Sequence, residues 1–325
     1  TSSATFTVGG TIAGTIFNDA DASWTFGPGD DKPFEGVTLR LLDADGNPVK
    51  DDSGADITTK TDADGNYLFN RLPLGSYKVE VVPGDAKVNG TDVNLSDYKQ
   101  TYGYGSSTDR TQIGQGTLVT PNPIELTAAA PNTTKVDFGF VKPASVGDYV
   151  WFDANKDGLQ DSDEPALPGI TATIVDASGN PVVDASGRPV SAVTTGADGQ
   201  YTFENLLPGD YKVSFQTPAG YEATISGAGA DRALDSNGAE ASVTLVQGQT
   251  DDTIDFGAVG TGVIGDQLFV DVNQNGGGAP DAGDKVLPNV KVTLTWTGPG
   301  GITRTYETTT DADGKYTFEN LLPGE

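Results

Sequence analysis

Cysteine, histidine and methionine are absent from the 325 residues. Without cysteine there is no disulfide and no thiolate metal site. Without histidine the chain lacks the commonest general base and the usual ligand of zinc, copper and iron. Any metal must be held by oxygen, which favours a hard cation such as Ca2+. The usual nucleophile–base pairs cannot be built, so an enzyme is not expected. Basic residues are scarce as well: 19 Lys and Arg stand against 46 Asp and Glu, a net charge of −27. A surface that acidic repels nucleic acid and anionic membrane and suits divalent cations or basic partners. No run of about 18 apolar residues occurs, so membrane insertion is not expected. No signal peptide is visible.

What is present is a repeat. DGQYTFENLLPG at 198–209 returns as DGKYTFENLLPG at 313–324, and more loosely as DGNYLFNRLPLG at 64–75. Upstream of each lies a strand-like segment ending in Asp: GTIFND (14–19), GDYVWFD (147–153) and GDQLFVD (265–271). An acidic loop follows, then a second strand: GVTLRLLD (36–43), GITATIVD (169–176) and NVKVTLTW (289–296). The first two units close with KVDFGFV (135–141) and TIDFGAV (253–259). The expected organisation is 1–9 as an N-terminal strand or the tail of a preceding unit, 10–143 as unit one with an insertion, 144–260 as unit two, and 261–325 as a truncated unit three. The chain reads as a segment of a longer array.

Apolar residues alternate with period two, as at Tyr201/Phe203, Tyr211/Val213/Phe215 and Ile254/Phe256. That is the pattern of half-buried strands. Gly-containing turns at 45–47, 64–66, 178–180 and 198–200 separate them. The fold class expected is all-β: tandem Ig-like or transthyretin-like Greek-key β-sandwiches, joined by linkers short enough to make a rod.

The acidic loop of unit two reads FDANKDGLQDSDEPAL (152–167). Counted from Asp153, the positions are Asp153 (1), Asn155 (3), Asp157 (5), Gly158 (6), Leu159 (7, by its carbonyl), Asp161 (9) and Glu164 (12). This is the ligand spacing of an EF-hand calcium loop. Crowded carboxylates repel one another until a cation sits among them. Strands rather than helices flank the loop, so it is EF-like on a β scaffold. In unit three the candidates are Asp271, Asn273 and Asn275, then two extra residues before Asp281 and Asp284. In unit one they are Asp19, Asp21 and Ser23, then a detour through WTFGPG before Asp30 and Asp31. Asp231, Asp235 and Asn237 in ADRALDSNG either serve a turn or build a second site.

Together, GDYVWFDANKDGLQDSDEPALPGI, the DGQYTFENLLPGDYKVSFQTPAGY block and ALDSNG resemble the calcium-binding B domains of serine–aspartate repeat adhesins, which are related to the B domains of collagen adhesins. The resemblance implies cell-wall-anchored proteins of the bacterial surface, in which such domains form a Ca2+-stiffened stalk behind a ligand-binding head. It implies neighbouring repeats as partners, and a host protein or glycan bound through the parent. Many collagen-adhesin B domains carry a Lys–Asn isopeptide bond; the first strands here contain no Lys, so none is expected. The competing readings are a ligand- or glycan-binding module, using Tyr98, Tyr102, Tyr104 or Trp24, and a subunit of a polymeric surface layer or filament.

Overall fold

Glycines in the first strands explain how the sheets begin, although not at one repeated position: Gly14 pairs with Tyr67 as Asp148, not Gly147, pairs with Tyr201. A Cβ at Gly147 would lie 2.2 Å from the carbonyl of Tyr201, and one at Gly14 would lie 2.0 Å from that of Val136. Only glycine allows the first strand of each unit to cross its neighbours so closely. The structure, a computed structural model, describes residues 9–24, 26–27, 31–103, 118–217, 219–297 and 303–322. Asp30 and Tyr104 lie outside the described residues, as do residues 1–8.

The first strand of unit two, Ala144–Phe152, pairs antiparallel with Gln200–Leu206 and parallel with Phe256–Gly260. Tyr221–Ala223 extends that sheet. The facing sheet runs Val193–Thr194, Thr171–Asp176, Gly209–Gln216, Glu240–Leu245. Unit one repeats the plan: Gly10–Asn18 pairs antiparallel with Asn66–Leu72 and parallel with Phe138–Val141. Its facing sheet is Ile124–Leu126, Gly75–Val82, Thr38–Asp43, Thr58–Lys60. The parallel register matches in both units, Ile16 opposite Phe138 and Val150 opposite Phe256. In unit three, Gly262–Gln267 pairs antiparallel with Lys315–Leu321, and Lys291–Thr297 forms a hairpin with Thr303–Thr309. Among the described residues the one helix is a 3-10 turn at Leu95–Asp97.

Period-two alternation fills the cores. Tyr201 and Phe203 are buried while Thr202 and Glu204 face solvent. They meet Val213, Phe215, Ile254 and Phe256 in the core of unit two. The two tyrosines of the repeat are tied in the same way in units one and two. Tyr67 donates to the carbonyl of Val136 and Tyr201 to that of Ile254, each at 2.6 Å. Tyr77 and Tyr211 donate to the carbonyls of Pro73 and Leu207. These four hydroxyls thus find partners, as burial requires.

Two small apolar clusters lie between units. Ala22, Trp24 and Val141 of unit one pack with Ala185 and Leu207 of unit two. Phe152, Ala154 and Tyr221 of unit two pack with Trp296, Tyr306 and Leu322 of unit three. Trp24, an alternative binding residue by sequence, therefore packs at a joint. Tyr98 packs on the first core, edge-on to Phe34 with ring centroids 5.2 Å apart.

Candidate metal centres

In unit two the loop begins where the first strand ends. The N–H of Asp153 donates to the carbonyl of Ala258, so the last strand fixes the first candidate ligand. Asp153 is 1 % exposed. Its Oδ1 accepts from the N–H of Lys156 at 2.6 Å, and its Oδ2 from the N–H of Gly158 at 2.9 Å and from the hydroxyl of Thr224. Gly158 has φ +77°, and a Cβ there would come within 2.7 Å of Ile225. The sharp bend and the close approach both demand glycine.

The following side chains turn back on their own backbone. Asn155 Oδ1 accepts from the N–H of Asp157, and Asp157 Oδ1 from the N–H of Leu159. The amide of Asn155 bridges the carboxylates of Asp157 and Asp161, 2.9 Å to each. Glu164 closes the loop: its Oε1 accepts from the N–H of Ala154 at 2.6 Å and its Oε2 from that of Asp161 at 3.4 Å. Burial, opposed by the Ala154 bond, holds the Glu164 carboxyl above the usual range, and the charge of Asp153 adds to the rise. Leu159 is tied through its neighbours to the 231–237 loop: Gln160 N–H donates to Leu234 and Ser236 N–H to Gly158. Asp235 is buried there, and the Asn237 side chain accepts from the N–H of Asp255.

The other loops use the same scheme. In unit three, Asp271 Oδ2 accepts from Gly276 N–H, Asn273 Oδ1 from Asn275 N–H, and Asp284 Oδ1 from Val272 N–H at 3.0 Å. Asn273 and Asn275 donate to Asp281, and Asp281 N–H donates to Asp284. In unit one, Ser23 N–H donates to both Asp19 and Asp21, and Ala20 N–H donates to Asp31 Oδ1 at 3.0 Å. Asp31 is thus the closing carboxylate, with Gly27 N–H on its other oxygen. One oxygen from each of Asp19, Asp21 and Asp31 lies within 4.8 Å of the others. Asp19 is fully buried, and burial, with the charge of Asp31 adding to it, pushes its pKa up to about 6.

The donor chemistry fits a hard cation. Every candidate group is an oxygen, and in unit one three carboxylates, two of them buried, crowd together. Sequence reasoning missed Thr224, whose hydroxyl braces Asp153 from 71 residues away. Nothing local to either residue signals that contact.

Greek-key sandwiches in tandem, each with an Asx-rich acidic loop after its first strand, define a class of β-repeat protein. The chain belongs to the SdrD B-like domain family, whose profile matches residues 10–140, 144–258 and 262–325. This is a non-enzymatic family of repeats. The serine-aspartate repeat-containing protein D of Staphylococcus aureus (strain Newman) is 35% identical over 298 residues, covering 91% of this chain and 20% of that protein. Protein F of Staphylococcus epidermidis (strain ATCC 12228 / FDA PCI 1200) is 36% identical over 297 residues, covering 90% of this chain and 16% of its own length. The chain therefore spans a fifth or less of these relatives. Among solved structures, GBS52, the minor pilin of Streptococcus agalactiae, aligns at 15% identity and TM-score 0.29 over 78% of this chain and 98% of its own. The shaft pilin SpaA of Lactobacillus rhamnosus GG aligns at 14% and 0.29, over 78% and 99%.

Proposed function

We propose that the chain is a calcium-stabilised stalk segment of a bacterial cell-surface adhesin, spacing a distal binding region away from the cell. The observation that carries this reading is the loop-closing bond repeated in all three units, from Ala20 to Asp31, Ala154 to Glu164 and Val272 to Asp284. A closure kept through loops of three different lengths has a purpose beyond a solvated turn. Asp153, Asn155, Asp157, the Leu159 carbonyl, Asp161 and Glu164 would hold Ca2+ in unit two. Asp271, Asn273, Asn275, Asp281 and Asp284 would do so in unit three, and Asp19, Asp21, Ser23 and Asp31 in unit one. When bound, the ion supplies the positive charge that removes carboxylate repulsion. The units read as 10–143, 144–260 and 261–325, and family membership supports a location outside the cell. A ligand that binds only the folded state stabilises by about 2.7 kcal/mol when it is a hundredfold above its Kd. Calorimetry on the whole chain tests the reading. Calcium binding is expected, with one event lost in Asp153→Ala; no binding at millimolar calcium would refute it.

A further inference from the structure

Arg304 lies in the unit-three strand Thr303–Thr309, far in sequence from the unit-two loop, yet it meets both ends of that loop. Its Nη2 donates to the carbonyl of Asp163 at 2.5 Å, the residue before Glu164. Its guanidinium carbon sits 5.9 Å over the ring of Phe152, the residue before Asp153. The loop is therefore gripped from outside at the two points that the Ala154–Glu164 bond joins from inside. A cavity of about 460 Å³ separates loop from hairpin, lined by Ala154, Asn155 and Glu164 on one side and Arg304 and Tyr306 on the other.

We infer that Arg304 is a positioning residue of the unit-two metal loop, so that loading of this loop and docking of unit three are linked. The inference rests on the calcium reading given above. Arginine suits the place. Its planar cation is weakly hydrated, stacks on an aromatic face and still donates to a carbonyl. Its charge opposes a loop with five carboxylates and one lysine between 153 and 164. Phe152, Trp296 and Leu322 bury the apolar part of the same joint.

The first joint has the same logic in apolar form. Ala22 and Trp24 belong to the acidic loop of unit one, and they pack on Ala185 and Leu207 of unit two. Leu207 and Leu322 are the same residue of the repeated NLLPG segment. In both joints the acidic loop of one unit is the socket for the next. Anything that fixes the loop thus fixes the joint, and by linkage a docked neighbour tightens binding in the loop.

Calcium titration calorimetry on the whole chain tests this, with the unit-two event identified as the one lost in Asp153→Ala. Arg304→Ala is expected to weaken that event about fivefold or more. Arg304→Lys, which keeps a charge and a donor, is expected to recover part of the loss. Small-angle scattering of Arg304→Ala in calcium is expected to report a looser chain than wild type. Wild-type affinity in Arg304→Ala, with an unchanged scattering profile, overturns the link while leaving the calcium reading intact. A wild-type chain with no event sensitive to Asp153→Ala overturns both.

Discussion

The backbone N–H of Ala154 donates to Glu164 Oε1 at 2.6 Å, across ten residues of loop. This bond draws the last candidate ligand of unit two back to the first, because Ala154 follows Asp153 directly. Val272 and Asp284 repeat it across twelve residues, and Ala20 and Asp31 across eleven. The closing carboxylate is thus placed by the backbone.

Asp153 holds the loop as well as offering a ligand. Asp153→Ala leaves the hydroxyl of Thr224 and the N–H groups of Lys156 and Gly158 without their acceptor. A buried donor left unpaired costs about 1–3 kcal/mol. The variant is expected to melt at lower temperature than wild type even in chelator. Glu164→Gln keeps an acceptor for Ala154, so its melt in chelator is expected to stay close to wild type while calcium binding weakens. Equal melting of Asp153→Ala and wild type in chelator would contradict the bracing role.

Gly158 is constrained twice, by φ +77° and by Ile225 at 2.7 Å from a Cβ. Gly179 shares the positive φ, at +87°, but has nothing within 4 Å. Gly158→Ala is expected to cost more than Gly179→Ala, which carries only backbone strain of about 1 kcal/mol or more. Thermal melts of the two variants make the comparison. Equal losses would contradict the steric argument.

Asp255 sets a pH dependence. It is fully buried, and its Oδ1 accepts from the N–H of Tyr149. Burial first, then the charge of Asp148, pushes its pKa up to about 8; Asp235 and Asp252 add to the rise. Asp148 itself is pushed up to about 6 by burial and by Asp252 and Asp251. The folded chain therefore holds these protons more tightly than the unfolded chain. Between about pH 4 and the raised values, unfolding releases protons, so stability falls as pH rises. Exposed turn acids with lowered values, such as Asp43 and Asp176, act in the opposite sense but only below about pH 4. In chelator, wild type is expected to melt higher at pH 5 than at pH 8. Asp255→Asn is expected to flatten that slope; an unchanged slope would assign it elsewhere.

Leu207 is expected to hold the first joint. Leu207→Ala removes the side chain that meets Ala22, Trp24 and Val141. The part of the emission spectrum that Trp24→Phe abolishes should shift to the red, as Trp24 gains water. No shift would mean that the joint does not depend on this leucine.

Much of the fold was legible because its determinants are local. Period-two alternation at Tyr201/Phe203, Gly-centred turns and the repeated DGxY block name strands and their faces within a few residues. The loop of unit two was legible for the same reason: positions 153 to 164 follow one another without interruption. Asp31 was harder, because the WTFGPG detour hides its distance from Asp19; the bonds from Ala20 and Gly27 and the approach of Asp19 and Asp21 show where it lies. In unit three, Gly277 and Gly278 let the extra length pass while the Val272–Asp284 bond forms. Thr224 and Arg304 had no signal at all. Each is one polar residue among many, and its partner lies far along the chain.

If loop chemistry stiffens the stalk, small-angle scattering of residues 1–325 with and without calcium will register it. An extended, stiff particle is expected in millimolar calcium and a more flexible one in chelator, as carboxylate repulsion loosens the loops that form the joints. The same maximum dimension and the same flexibility in both conditions would contradict it, even if calorimetry finds the metal bound.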